Sequence, residues 1–200
     1  MGTIILVCNH KGGVGKTMLS AHIAAGAMRK GMRVAAIDTD PQGSLAEWHK
    51  RAEQSGHEFP PVYLMRPANY QKELPELQKK YDAIVIDTPP SSAVAIEMFR
   101  RVASLFVVPI TPGALDLDGL RTTLAALPQD KVHLVLNRWD AYRGAREVRD
   151  AIAGLELPTS IVRDLVAFRD ASGRGGTVLE RYPNGPAADD VRELSRVVWS

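Results

Sequence analysis

Asn9-His10-Lys11-Gly12-Gly13-Val14-Gly15-Lys16-Thr17 is the stretch that decides how the rest of this 200-residue chain is read. It follows an apolar run, Ile4-Ile5-Leu6-Val7-Cys8, and precedes a helical pattern from Met18 to Lys30. A strand, a glycine-rich turn and a helix, in that order, form the setting of a phosphate-binding loop. Backbone N–H groups at the turn and the helix start make an anion nest, and the helix dipole adds favourable potential. From there Lys16 can reach terminal phosphates, and the Thr17 hydroxyl can take one position on Mg²⁺. A turn that merely joins a strand to a helix needs neither residue at this spacing, and neither does a dinucleotide fingerprint.

The strict Walker pattern has a glycine five residues before Gly15, where this chain carries His10. Instead a second lysine opens the run Lys11-Gly12-Gly13-Val14-Gly15-Lys16-Thr17. This resembles the deviant Walker motif of the ParA/MinD family of ATPases. The resemblance implies an α/β P-loop NTPase fold, a mostly parallel doubly wound sheet, with ATP and Mg²⁺ as cofactors. It also implies phosphate binding by Lys11, Gly12, Gly13, Val14, Gly15, Lys16, Thr17 and Met18. In that family an extra "signature" lysine, here Lys11, crosses a dimer interface to the partner's nucleotide. Met18 stands where the family commonly has a second threonine or serine.

Length suits one domain over residues 1–200 with a substantial core. A hydrophobic content of 45% and a charged content of 24% are ordinary for a soluble globular chain. With a net charge of +2 and a pI of about 8.7, electrostatics alone does not announce a nucleic-acid binder. Distribution says more. From Arg138 onward every basic side chain is arginine, with a cluster at Arg138, Arg143, Arg146, Arg149, Arg163, Arg169 and Arg174. Acidic residues are interspersed, so a solvated face and a DNA-facing patch both fit. The single cysteine, Cys8, can form no internal disulfide and reads as a small core residue. It argues against the iron–sulfur relatives of this ATPase group, whose shared cluster needs two cysteines per subunit. The chain enters its first strand almost at once, leaving no room for a signal peptide, and no apolar run approaches membrane-spanning length. The expectation is cytoplasmic, with no membrane partner.

Alternation of strand and helix continues along the chain. Strands are expected at 33–38, 61–65, 83–87, 105–110, 132–136 and 160–162, with helices at 69–80, 93–102, 117–127, 145–153 and 189–198. Pro75 is expected to interrupt the helix from Asn69, and Pro109 and Pro112 to punctuate a strand end. Strands separated by helices imply a parallel sheet covered on both faces, with ligands at the strands' carboxyl ends.

Asp38-Thr39-Asp40-Pro41-Gln42-Gly43-Ser44 follows the second strand. By composition it is a turn, with Ser44 able to cap the next helix. By resemblance it is the family's switch I, in which Asp40 positions the hydrolytic water and Asp38 supports the Mg²⁺ shell through water. Ile84-Val85-Ile86-Asp87-Thr88-Pro89-Pro90 has the form of a Walker B strand. Asp87 would accept hydrogen bonds from Mg²⁺-bound water beside Thr17, and Thr88 to Ser92 would be switch II. Asp116 caps a helix or meets the other protomer. Asn137 reads as a strand-end turn residue or, by resemblance, as an adenine contact together with Arg138 and Phe168; Phe168 fits the core equally well. The histidines show no metal-ligand spacing, and Trp48, Trp139 and Trp199 read as packing residues.

The short partition ATPases without an N-terminal helix-turn-helix domain are the closest resemblance. It implies catalysis by Lys11, Lys16 and Asp40, and a homodimer with ATP sandwiched between subunits. It further implies non-specific DNA binding, to which Arg138, Arg143, Arg146, Arg163 and Arg169 are candidates. A ParB-like centromere-binding adaptor would stimulate slow hydrolysis, and the protein would be nucleoid-associated, driving plasmid or chromosome partition. Three alternatives stand beside this. One is the same machinery positioning another cargo, such as a carboxysome or chemoreceptor array. A MinD-like membrane regulator would need a basic amphipathic tail, and the tail here begins Asp189-Asp190. A metabolic P-loop enzyme would need an acceptor pocket, for which no distinct residues stand out.

Overall fold

The computed structural model describes residues 2–90, 93–112, 114–140 and 145–200, without the side chains at 67, 114–118, 145–147 and 149. Within these residues lies one seven-stranded sheet, ordered β3-β2-β4-β1-β5-β6-β7, and every neighbouring pair is parallel. The strands are β1 (Thr3–Val7), β2 (Val34–Asp38), β3 (Val62–Leu64), β4 (Ala83–Asp87), β5 (Leu105–Ile110), β6 (Val132–Trp139) and β7 (Thr159–Arg163). Between and after them come α1 (Lys16–Arg29), α2 (Ser44–Gln54), α3 (Tyr70–Lys80), α4 (Ala93–Phe99), α5 (Ala114–Ala125), α6 (Ala145–Ala153), α7 (Val166–Gly173), α8 (Val178–Arg181) and α9 (Pro186–Val198).

Strand periodicity sorts the core into two layers. In β1, Ile4 and Leu6 pack with Leu77, Phe99 and Leu124 from α3, α4 and α5. Ile5 and Val7 point the other way, to Leu19 and Ile23 of α1 and Val191 and Leu194 of α9. All four strand residues are fully buried. Because both faces are covered, the central strands read as unbroken apolar runs rather than alternating ones. Each buried aliphatic side chain contributes about 1.5–3 kcal/mol, so the two layers together fix the sheet. Helix α2 forms a smaller cluster, in which Leu45 and Trp48 pack on Ala21 and Ala36.

Several sequence expectations are revised. Pro75 does not interrupt α3; it lies inside the helix. Pro75 and Gln71, whose carbonyl loses its intrahelical donor, are both exposed, so water can satisfy that carbonyl. Pro109 is within β5, paired in register with Val135, instead of at its end. The strand expected at 132–136 runs on to Trp139, with an irregularity in its pairing to β7 between Asn137 and Trp139. Helices α7 and α8 were not anticipated, and α9 starts at Pro186 rather than Asp189. These late helices bury their apolar residues against α1 and its neighbours, which local patterning does not reveal.

Candidate nucleotide site

The loop joining β1 to α1 is held from beneath by Asn9, which is fully buried. Its Nδ2 donates to the Pro109 carbonyl at 2.7 Å, and its Oδ1 accepts from the Lys11 N–H at 2.9 Å and the Thr123 hydroxyl at 3.4 Å. Gly13 and Gly15 have φ of +76° and +92°, a region closed to most side chains. A Cβ on Gly15 would also collide with Asn137 Nδ2. No acidic residue occupies the first turn of α1, so its dipole end stays open to an anion. The Lys16 ammonium donates to the carbonyls of Lys11 at 2.9 Å and Asn9 at 3.2 Å. Burial lowers its pKa, and the charge of Asp87 partly opposes this. Lys11 packs against α5, where a Cβ added to Gly119 would lie 3.4 Å from Lys11 Cβ.

At the end of β4, Asp87 accepts from the Thr17 hydroxyl at 2.7 Å and the Ser20 hydroxyl at 3.1 Å. Burial pushes its carboxyl up to about 7, against the pull of the Thr17 hydrogen bond. A hydroxyl and a carboxylate together suit a hard cation such as Mg²⁺. Among the described residues no group of three or more His, Cys, Asp or Glu could hold a metal.

Asp38 ends β2 with both oxygens engaged by backbone N–H groups: Asp40 at 3.0 Å, Leu45 at 2.9 Å and Ala46 at 3.1 Å. It thus satisfies two of the open amides of α2, those of Leu45 and Ala46. The cap expected from Ser44 is not made, since Gly43 is the N-cap residue and no side chain caps from that position. Burial is the main cause of the raised pKa of Asp38. Asp40 accepts from the Gln42 N–H at 2.9 Å and is half-buried on the cavity wall.

That cavity, of about 420 Å³, opens at the carboxyl ends of β1, β2, β4, β6 and β7. It brings together Gly13, Gly15, Lys16, Thr17 and Met18 with Asp40, Asn137, Arg138 and Phe168. Asn137 is fully buried, with its Nδ2 donating to the Val14 carbonyl at 2.7 Å. Arg138 takes a positive φ of 52° and is exposed, so the irregularity in β6 turns its side chain away from the sheet. Phe168 is 6% exposed, packs in the α1 layer and also lines the cavity.

Of the candidate DNA arginines, Arg138, Arg163 and Arg169 all line the cavity. Arg163 is bound to Asp190, at 2.6 Å at its closest, and to the Pro186 carbonyl at 2.9 Å. Arg169 pairs with Asp164 at 3.3 Å. Arg143, Gly113, Ser91 and Ser92 lie outside the described residues, as do the side chains of Asp116, Arg146 and Arg149.

Sequence reasoning gave no role in this site to Asn9, Ser20, His22, Trp48 or Arg51. His22 is fully buried beneath the cavity, with Nδ1 donating to the Met18 carbonyl at 2.7 Å and Nε2 accepting from the Val178 N–H at 3.1 Å. Those two bonds fix a neutral ring, and burial pulls its pKa down to about 4. Trp48 and Phe168 meet the ring edge-on, with centroids 5.8 and 5.2 Å away.

A family model described as the CobQ/CobB/MinD/ParA nucleotide binding domain matches residues 5–178. The Maintenance of carboxysome distribution protein A of Halothiobacillus neapolitanus is 31% identical, over 95% of this chain and 93% of that one. The protein of the same name from Gloeobacter kilaueensis is 34% identical, over 96% and 92% respectively. Among solved structures, the septum site-determining protein MinD of Pyrococcus horikoshii complexed with Mg-ADP superposes with a TM-score of 0.77. At 19% identity, over 99% of this chain and 96% of that one, this likeness establishes a shared α/β P-loop NTPase fold. With a phosphate loop of the deviant form and a family match across most of its length, the chain belongs to the ParA/MinD family of Walker-type ATPases.

Proposed function

We propose that this chain is a positioning ATPase whose residues 1–200 form one ATP-dependent dimerising domain. Its cargo is a protein-bounded compartment of the carboxysome type. The cargo reading rests on one observation: two relatives at 31% and 34% identity, aligned over more than nine-tenths of each chain, are carboxysome distribution proteins. Plasmid or chromosome partition, the first expectation from sequence, uses the same cycle with a different adaptor and has less support. No helix among the described residues is long and apolar enough to cross a membrane.

In this reading the phosphates lie against the Gly13–Thr17 amides with Lys16 beside them. Thr17 and Asp87 would hold Mg²⁺, Asp87 by way of water, and the metal would neutralise phosphate charge. Asp38 serves that shell indirectly, by fixing the segment that carries Asp40. The Asp40 carboxylate orients the attacking water, Lys11 reaches across to the partner's phosphates, and Asn137, Arg138 and Phe168 enclose the adenine. Dimers bind DNA through phosphate contacts until an adaptor stimulates slow hydrolysis.

Sedimentation with DNA in ATP, ADP or no nucleotide tests the cycle. Wild type is retained with ATP only, Lys11→Ala is not retained, and Asp40→Ala stays bound longer; retention that ignores nucleotide overturns the reading. Cargo is tested in the host, where deletion should leave compartments clustered and replicon inheritance intact. The opposite pattern would move the assignment to partition.

A further inference from the structure

Helix α2 presents a row of side chains to the cavity that the phosphate-site reading leaves unused. Ser44, Trp48 and Arg51 recur at spacings of four and three, share one helical face, and all line the cavity. A rise of 1.5 Å per residue puts Arg51 about 10 Å along α2 from Ser44. The Ser44 end adjoins Asp40, whose charge acts on Lys16. The Arg51 end meets the chain after α7. There, a Cβ on Gly175 would come within 2.5 Å of the backbone of both Arg51 and Ala52. The Trp48 indole N–H closes this corner by donating to the carbonyl of Gly175 at 2.9 Å and of Gly176 at 3.3 Å.

Arg51 and Asn137 both line this cavity, and each carries a buried atom with no partner among the described residues: Arg51 Nε and Asn137 Oδ1. One is a donor and the other an acceptor. The amide of Asn137 is oriented, because its Nδ2 is already committed to the Val14 carbonyl. A phosphate chain offers acceptors alone and cannot meet Asn137 Oδ1. A nucleoside offers both kinds of group, an amino donor for Asn137 and ring or ribose acceptors for the Arg51 guanidinium.

We infer that Arg51 is a nucleoside-binding residue: its guanidinium donates to a base or ribose acceptor at the end of the cavity away from Lys16. Trp48 holds the α2 wall in place for that contact. The inference rests on the ATPase reading above. It also gives α2 two duties, since the helix begins at the Asp40 segment and carries Arg51 two turns later.

The test is titration calorimetry of the full chain with Mg-ATP and, separately, with Mg-tripolyphosphate, which lacks the nucleoside. Arg51→Ala should lose about tenfold in ATP affinity and keep its tripolyphosphate affinity within about twofold. Arg51→Gln, which retains part of the side-chain stem, should give the same ratio if the alanine variant folds poorly. Unchanged ATP affinity, or equal loss for both ligands, overturns the inference while the ATPase reading stands. A wild-type chain that binds neither ligand overturns both.

Discussion

At the loop end of the cavity the polar side chains are bonded within the protein; in its walls, on α2 and at the end of β6, two buried polar atoms have no partner among the described residues. Thr17 and Ser20 are committed to Asp87, and Lys16 to two loop carbonyls. A ligand arriving there exchanges one set of bonds for another, so its gain is a difference. Charge-assisted contacts to phosphate still make that difference favourable. Arg51 Nε and Asn137 Oδ1 give up no protein bond when they are met. On the proposed reading the contrast makes grip and discrimination separable: the first resides in the loop, the second in the walls.

Substitution of the loop lysine should break the contrast most plainly. Lys16→Ala is expected to weaken ATP and tripolyphosphate alike, on the order of 100-fold, measured by the same calorimetry. Acid comes next, because His22 lies beneath the cavity. Its pKa is about 4 in the fold against an ordinary 6.5, so the neutral ring stabilises the native state at neutral pH. That contribution is complete above about pH 6.5 and disappears as the pH falls toward 4, amounting to about 3 kcal/mol at most. Urea titrations should show this loss, and His22→Asn, less stable at pH 7, should have a shallower acid slope. Gly15→Ala places a methyl group at φ +92° against Asn137. The strain is about 1–2 kcal/mol, enough to lower Tm by several degrees, and the displaced Asn137 should weaken ATP more than tripolyphosphate. The smallest effect is expected from Ser44→Ala. With Asp38 already serving the α2 amides, its stability should stay within about 0.5 kcal/mol of wild type in the same titrations.

Much of the phosphate end is legible in sequence because it is local. Residues 9–17 carry the turn, the cation and the hydroxyl in one run, and Asp87 announces itself by closing an apolar strand. The far wall is assembled from distant pieces. Trp48 meets Gly175 across 127 positions, and His22 meets Val178 across 156. Neither contact leaves a periodicity or spacing to read. Asp38 shows a subtler case: two carboxylates one residue apart look equivalent as letters. Only the path of the chain into α2 commits the first to backbone amides and leaves the second on the cavity wall.

Proline at position 109 has a consequence for the neighbouring turn. In a strand the amide and carbonyl of one residue point to the same side, and here the carbonyl points to Asn9. Proline has no hydrogen on its nitrogen, so β5 offers no donor at the height where the first strand gives way to the glycines. The ladder cannot zip onward into that turn: Pro109 has no donor for a turn carbonyl, and its own carbonyl is taken by the Asn9 side chain rather than by a turn amide. Any other amino acid at 109 would point a new N–H at the polypeptide that must curl around an anion.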